Sequence, residues 1–155
     1  MGVDPRFLAS SGREVFTGNE LLVKGALETP GGVHLMTGYP GSPVAFQANN
    51  EALSVAAING SQMAPLRGMT AFKSVGTQVA SDALALGNLA GAHPEGGAVI
   101  VSGEDPWCDS TQVPADSRFL FEHLRMAVVE PGSIQELKDW VGKSFELSRA
   151  AGLYI

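Results

Sequence analysis

The sequence predicts an α/β fold: a mainly parallel sheet flanked by helices. Three observations lead there. Short apolar runs alternate with longer stretches of helical periodicity through most of the 155 residues. The run Ala98–Val101 is apolar without interruption, the pattern of a strand buried on both faces. The 19 glycines gather at junctions between apolar runs, where tight turns and close backbone approaches fall.

Taken in order, residues 1–14 read as an N-terminal extension and 15–155 as one domain, long enough to bury a core. Val15–Thr17 reads as a brief strand or entry segment. A helix follows over Asn19–Glu28, with Asn19 as N-cap and the Pro30-Gly31-Gly32 run as its stop. Val33–Met36 reads as a strand, broken by Thr37–Pro43, where two prolines and two glycines exclude a helix. Glu51–Gly60 is a helix crowded with small residues, among them Ala56, Ala57 and Gly60, a face thin enough for another backbone to approach.

The second half repeats the alternation. Gly68–Lys73 is a strand and Thr77–Ala92 a helix carrying Val79, Ala83, Leu84 and Leu86. After the strand Ala98–Val101 comes a polar, irregular stretch, Asp105–Asp116, then a helix near Ser117–Leu124. Met126–Val129 is expected to form the next strand. Ser133 and Glu136 have capping-box spacing at the head of a helix over Ile134–Ala151, whose Leu137, Trp140, Val141, Phe145 and Leu147 face one side. Gly152 ends that helix, and Leu153–Ile155 opens another strand.

Composition narrows function. The net charge of −6 and the lack of a basic stripe argue against nucleic acid or an anionic membrane as partner. A single cysteine, Cys108, allows neither an intrachain disulfide nor a four-cysteine cluster, and its acidic neighbourhood points to an incidental thiol. His34, His93 and His123 lie in different elements without metal-ligand spacing. With no long apolar run and no signal-peptide pattern at the N-terminus, a cytoplasmic protein is expected.

Two features can carry chemistry. In open parallel sheets ligands bind outside the carboxyl ends of the strands, where the Thr37–Pro43 loop belongs. Gly38 and Gly41 permit close backbone approach, and Tyr39 and Ser42 offer hydroxyls; a rigid turn without a ligand accounts for the loop equally well. Glu51 opens the small-residue helix. A carboxylate there is most simply a partner of the helix dipole; the alternative is a proton-relay group against a ring nitrogen of a cofactor.

The segments Gly18–Glu28 (GNELLVKGALE), Thr37–Pro43 (TGYPGSP), Asn50–Ser61 (NEALSVAAINGS), Lys73–Leu84 (KSVGTQVASDAL), Glu104–Gln112 (EDPWCDSTQ) and Glu130–Leu153 together resemble, in order, the large subunit of indolepyruvate ferredoxin oxidoreductases, members of the 2-oxoacid:ferredoxin oxidoreductase family. The resemblance covers nearly the whole chain from Gly18 onward. It implies the pyrimidine-binding fold of thiamine-diphosphate enzymes, with the coenzyme shared with a diphosphate-binding domain outside this chain. In such enzymes the residue matching Glu51 contacts the aminopyrimidine ring, and the coenzyme carries the decarboxylation while electrons pass to iron–sulfur clusters. Tyr39, Pro40, Gly41 and Ser42 are the matching cofactor-binding turn; Lys73, Ser74, Asp105, Ser110, Thr111 and Gln112 match loops near the substrate or a partner chain.

Departures accompany the match. Ser42 stands where the family commonly has Thr, and Ser74 where it has His, which puts the usual substrate in doubt. Between Pro43 and Asn50 only Val44–Asn49 remain, about 20 Å of extended chain, where the family carries a helix and a strand. The family's Gly-Asp-Gly magnesium–diphosphate motif and its ferredoxin-type cysteines are absent, so the domain reads as truncated at its C-terminus, with Mg²⁺ and 4Fe-4S clusters expected only elsewhere in a complex. The implied reaction is oxidative decarboxylation of indolepyruvate or another aryl pyruvate to the acyl-CoA. The implied partners are a diphosphate-binding domain or subunit, a beta/gamma subunit, ferredoxin, the 2-oxoacid and coenzyme A in an oligomer. A pyruvate or 2-oxoglutarate enzyme, a non-catalytic assembly domain of the same fold, and an unrelated α/β ligand-binding module are the alternatives.

Overall fold

A computed structural model of the chain describes residues 3–38 and 46–155. The expected turn Tyr39–Pro43 lies outside the described residues. The elements run α1 (Pro5–Leu8), α2 (Gly18–Glu28), β1 (Leu35–Gly38), β2 (Phe46–Gln47), α3 (Glu51–Ser61), β3 (Arg67–Lys73), α4 (Ser74–Val79), α5 (Ser81–Ala90), β4 (Gly97–Gly103), α6 (Arg118–His123) and α7 (Ile134–Ala151).

Among the described residues the strands form one sheet in the order β2-β1-β3-β4, every pair parallel. Gly38 stands opposite Ala71, and Lys73 opposite Gly103, so the carboxyl ends of β1, β3 and β4 open toward one edge. The α/β, mainly parallel architecture is the one the sequence predicts. Side chains leave the central strands to alternate faces. Phe72 and Ile100 pack with Val55, Ile58, Leu84 and Tyr154 on one side. Met69 and Val99 pack with Ala26, Val141 and Phe145 on the other. Each fully buried side chain of this size contributes about 1.5–3 kcal/mol.

Several boundaries differ from expectation for identifiable reasons. Val15–Thr17 is not a strand. Thr17, rather than Asn19, caps α2, because Glu20 lies three residues beyond it and the two close a full capping box. The helix expected over Thr77–Ala92 is two helices that turn at Ala80, which is fully buried. Leu86 and Val79 are accordingly exposed while Ala83 and Leu84 are buried.

The box at Ser133 is half as expected. Its hydroxyl accepts from the Glu136 N–H, but the Glu136 carboxylate accepts from Gly132 N–H rather than from Ser133. On α7, Phe145 and Val141 are buried and Trp140 half-buried, whereas Leu147 turns outward. Gly152 ends α7 in the left-handed conformation (φ 67°), as its identity predicts.

Met126–Val129, expected as a strand, forms no strand and pairs with none among the described residues. Ile155 does pair: its N–H donates to Ala98 O (3.2 Å) and its carbonyl accepts from Ile100 N–H (2.8 Å), the two bonds of a parallel ladder on the free side of β4. The N-terminal residues fold back on α2. Lys24, buried, donates to the carbonyls of Phe7 and Ala9, and Arg6 pairs with Glu20 at 3.0 Å.

Candidate functional site

The carboxyl edge of the sheet is where the candidate side chains meet. α3 begins there. Asn50 caps it, accepting from Leu53 N–H at 2.9 Å, and this places Glu51 in the first helical turn. The turn is tied to the end of β1 by Thr37, whose buried hydroxyl donates to the Ser54 carbonyl (3.1 Å). Glu51 is half-buried, and its carboxylate has no hydrogen-bond partner among the described residues.

What holds Glu51 is packing. A β-carbon built on Gly76 would fall 2.6 Å from Glu51 Cγ, 2.9 Å from Cδ and 2.8 Å from Oε1. The acid therefore lies flat on the α4 backbone, in space that only glycine leaves open. α4 starts directly where β3 ends: Lys73 is its N-cap position and Ser74 its first residue.

Ser74 is fully buried, and its hydroxyl finds no partner; the same is true of Ser54 Oγ and Thr70 Oγ1 among the described residues. Thr70 stands directly opposite Thr37 in the β1–β3 ladder, and Ser54 lies in the first turn of α3. Buried hydroxyls left unpaired in this way are uncommon, since buried polar groups are nearly always hydrogen-bonded.

Asp105 organises the loop after β4. Its carboxylate accepts from the Asp109 and Ser110 N–H groups (3.0 and 2.7 Å), from Ser110 Oγ and Thr111 Oγ1, and lies 3.6 Å from Lys73 Nζ. The Ser110 amide above all, then that of Asp109 and the Lys73 charge, hold its carboxyl below the usual range. Asp105 is thus committed to its loop, and Lys73, half exposed, is the solvent-facing member of the pair.

Of the residues singled out from sequence, Glu51, Lys73, Ser74 and Asp105 come to this edge, with Ser110 bonded to Asp105. Gln112 is exposed and makes no hydrogen bond among the described residues; Tyr39, Pro40, Gly41 and Ser42 lie outside them. Sequence reasoning missed the hydroxyl chain under the edge. Thr77 Oγ1 lies 2.7 Å from Ser102 Oγ, which reaches Glu104 and Ser117. A Thr one turn into α4 and a Ser at the end of β4 carry no local signal of meeting.

Other candidates are otherwise engaged. His34 Nδ1 accepts from Arg67 N–H and His93 Nδ1 from Glu95 N–H. Among the described residues no group of three His, Cys, Asp or Glu could hold a metal ion, and no helix is long and apolar enough to cross a membrane.

An open parallel sheet with helices on both faces and a wedged carboxylate at its carboxyl edge places the chain in the α/β class. No protein-family model matches the chain. Its sequence is similar to indolepyruvate oxidoreductase subunit IorA of Archaeoglobus fulgidus, 32% identical over 93% of this chain and 26% of that protein. It is likewise similar to the IorA subunits of Pyrococcus abyssi (34% identical; 90% of this chain, 24% of the relative) and Pyrococcus horikoshii (34%; 87% and 23%). Nearly all of this chain therefore corresponds to about a quarter of the length of these IorA subunits. The aligned stretch of 166 residues is longer than the 93% of this 155-residue chain that it covers, so the Archaeoglobus relative carries additional residues within it.

Proposed function

We propose that this chain is the pyrimidine-side, thiamine-diphosphate-binding part of an indolepyruvate-type 2-oxoacid:ferredoxin oxidoreductase. Glu51 carries the reading: a half-buried carboxylate, without a hydrogen-bond partner among the described residues, fixed against Gly76 at the strand-end edge. The names of the similar IorA subunits give the reading its reaction class. When bound, thiamine diphosphate supplies the carbon nucleophile and the electron sink that decarboxylation of a 2-oxoacid needs.

The chain's own residues have separate tasks. Glu51 would share a proton with a ring nitrogen of the coenzyme, a role suited to a carboxylate that has no ion pair among the described residues. Gly76 keeps the acid in place at the strand-end edge. Lys73, tethered to Asp105 but half exposed, offers a cation to the substrate carboxylate. The diphosphate with its Mg²⁺, the iron–sulfur clusters, ferredoxin and coenzyme A engage other parts of a cytoplasmic, oligomeric complex.

The test is the Glu51→Gln variant of the assembled complex, with indolepyruvate, pyruvate and 2-oxoglutarate as substrates. Turnover should fall by about 10²–10⁴-fold, the usual worth of a positioned acid–base group. Indolepyruvate should be the preferred substrate. Unchanged rates in the variant would remove Glu51 from the chemistry, and preference for pyruvate would transfer the chain to the small-oxoacid enzymes.

A further inference from the structure

Among the described residues only two aromatic side chains are exposed, Trp107 (85%) and Phe119 (73%), and both belong to the segment that follows β4. Phe119 lies on α6, whereas Trp107 stands on the loop that Asp105 organises at the carboxyl edge. A tryptophan normally buries most of its ring. One left this bare is accounted for by a partner for its flat face.

The loop holds the backbone of Trp107 in place. Pro106 and Trp107 are the central residues of a turn that the Cys108 N–H closes onto the Asp105 carbonyl at 3.1 Å. The next two amides, of Asp109 and Ser110, donate to the Asp105 carboxylate at 3.0 and 2.7 Å. Cys108 sits at φ 57°, a left-handed conformation that a residue other than glycine keeps only where its surroundings impose it. The same Asp105 carboxylate lies 3.6 Å from Lys73 Nζ. Two residues separate Trp107 from Asp105, at most about 7 Å of chain. One acid thus sets an exposed aromatic ring and a half-exposed cation on a single short stretch of the edge.

We propose, resting on the assignment of this edge to a 2-oxoacid, that Trp107 selects acids with a flat aromatic side chain, stacking on that ring while Lys73 pairs with the carboxylate. A tryptophan offers a large flat surface through only two rotatable bonds, so little freedom is lost when a second ring stacks on it. The methyl group of pyruvate and the carboxyethyl group of 2-oxoglutarate have no flat face and gain nothing there. Trp107 is a specificity residue and takes no part in the bond changes.

The experiment uses the assembled complex with fluorotryptophan in this chain alone. Trp107 and Trp140, the two tryptophans of the chain, give two fluorine resonances, and Trp107→Phe assigns them. Indolelactate, which cannot be decarboxylated, should shift the Trp107 resonance and leave that of Trp140 in place, while lactate moves neither. In turnover, Trp107→Ala should lower the preference for indolepyruvate over pyruvate in kcat/KM by about three- to tenfold, the worth of one aromatic pair, with the loss in KM rather than kcat. Trp107→Phe keeps a ring and should retain most of the preference. An unchanged preference in Trp107→Ala overturns the proposal. So does a Trp107 resonance that moves on assembly of the complex and not on addition of indolelactate, since a partner subunit would then cover the ring. Glu51→Gln keeps the two readings apart. A wild-type rate there removes the 2-oxoacid chemistry from this edge; a lowered rate beside an unchanged Trp107→Ala preference removes only the role of Trp107.

Discussion

Glu51 rests on Gly76: the space a methyl group would need at Gly76 is filled by Glu51 Cγ, Cδ and Oε1, all within 2.9 Å of it. Gly76→Ala therefore rotates the Glu51 side chain toward solvent rather than breaking the core. Because Glu51 is only half-buried, the stability change should stay within about 1 kcal/mol, while turnover of the assembled complex falls at least about tenfold. Combining Gly76→Ala with Glu51→Ala should cost no more activity than Glu51→Ala alone. Additive losses would show that Gly76 acts on something other than the acid.

Tyr154 gives an alkaline signature. Its ring is buried against Gly87, its hydroxyl donates to Asn59 Oδ1 at 2.9 Å, and burial pushes its phenol up to about 12. A raised pKa means the native state keeps a proton that the unfolded chain loses. Stability from Tyr154 is complete below about pH 10 and is lost as pH rises toward about 12, on the order of 2–3 kcal/mol in all. Denaturant midpoints between pH 9 and 12 should drop for the wild type. For Tyr154→Phe they should flatten, after a fixed loss of about 1 kcal/mol for the hydrogen bond.

Asp105 predicts the acidic counterpart, confined to one loop. Its carboxyl is held low chiefly by the Ser110 amide, so its contribution is intact above the ordinary carboxylate range and disappears as pH falls through the depressed value. Exchange at the Asp109 and Ser110 amides should accelerate below about pH 4, the ordinary aspartate value, before the β4 amides do. Asp105→Asn should show the faster exchange already at neutral pH. Protected loop amides in that variant would mean the loop holds itself by other contacts.

What the sequence made legible follows from the range of the forces involved. Glycine stops and apolar periods act within a few residues, so the presence of α2 and α7 and the Gly152 terminus could be read directly, though not the Thr17 cap of α2, and the parallel class followed from the alternation of strands and helices. The turn at Ala80 could not, since nothing in the residues on either side breaks a helix and only burial against α3 and β3 decides it. Met126–Val129 has the composition of a strand, but pairing is a property of the neighbour, and no neighbour is present in the described chain. In the site, Glu51 was visible as an acid at a helix start. Its contact with Gly76 joins residues 25 apart in sequence, and the unpaired state of Ser54, Thr70 and Ser74 depends on what surrounds them. Such facts have no local signature.

The crossing of α2 and α7 offers a paired test of packing. A β-carbon at Gly25 would overlap the Lys138 carbonyl and come 2.8 Å from Val141 Cγ2, so the two helices touch backbone to backbone there. At Gly142 the nearest atom is Thr29 Oγ1 at 3.5 Å, an ordinary contact. The same substitution should act with opposite sign at the two sites. Gly25→Ala forces the helices apart and should destabilise by about 1–3 kcal/mol, since neither the carbonyl nor buried Val141 can move aside. Gly142→Ala adds helix propensity without a clash and should stabilise by about 0.5–1 kcal/mol. Thermal or urea midpoints of the two variants check both signs in one experiment. A stabilised Gly25→Ala protein would mean that α7 sits farther from α2 than the overlap at Lys138 and Val141 requires.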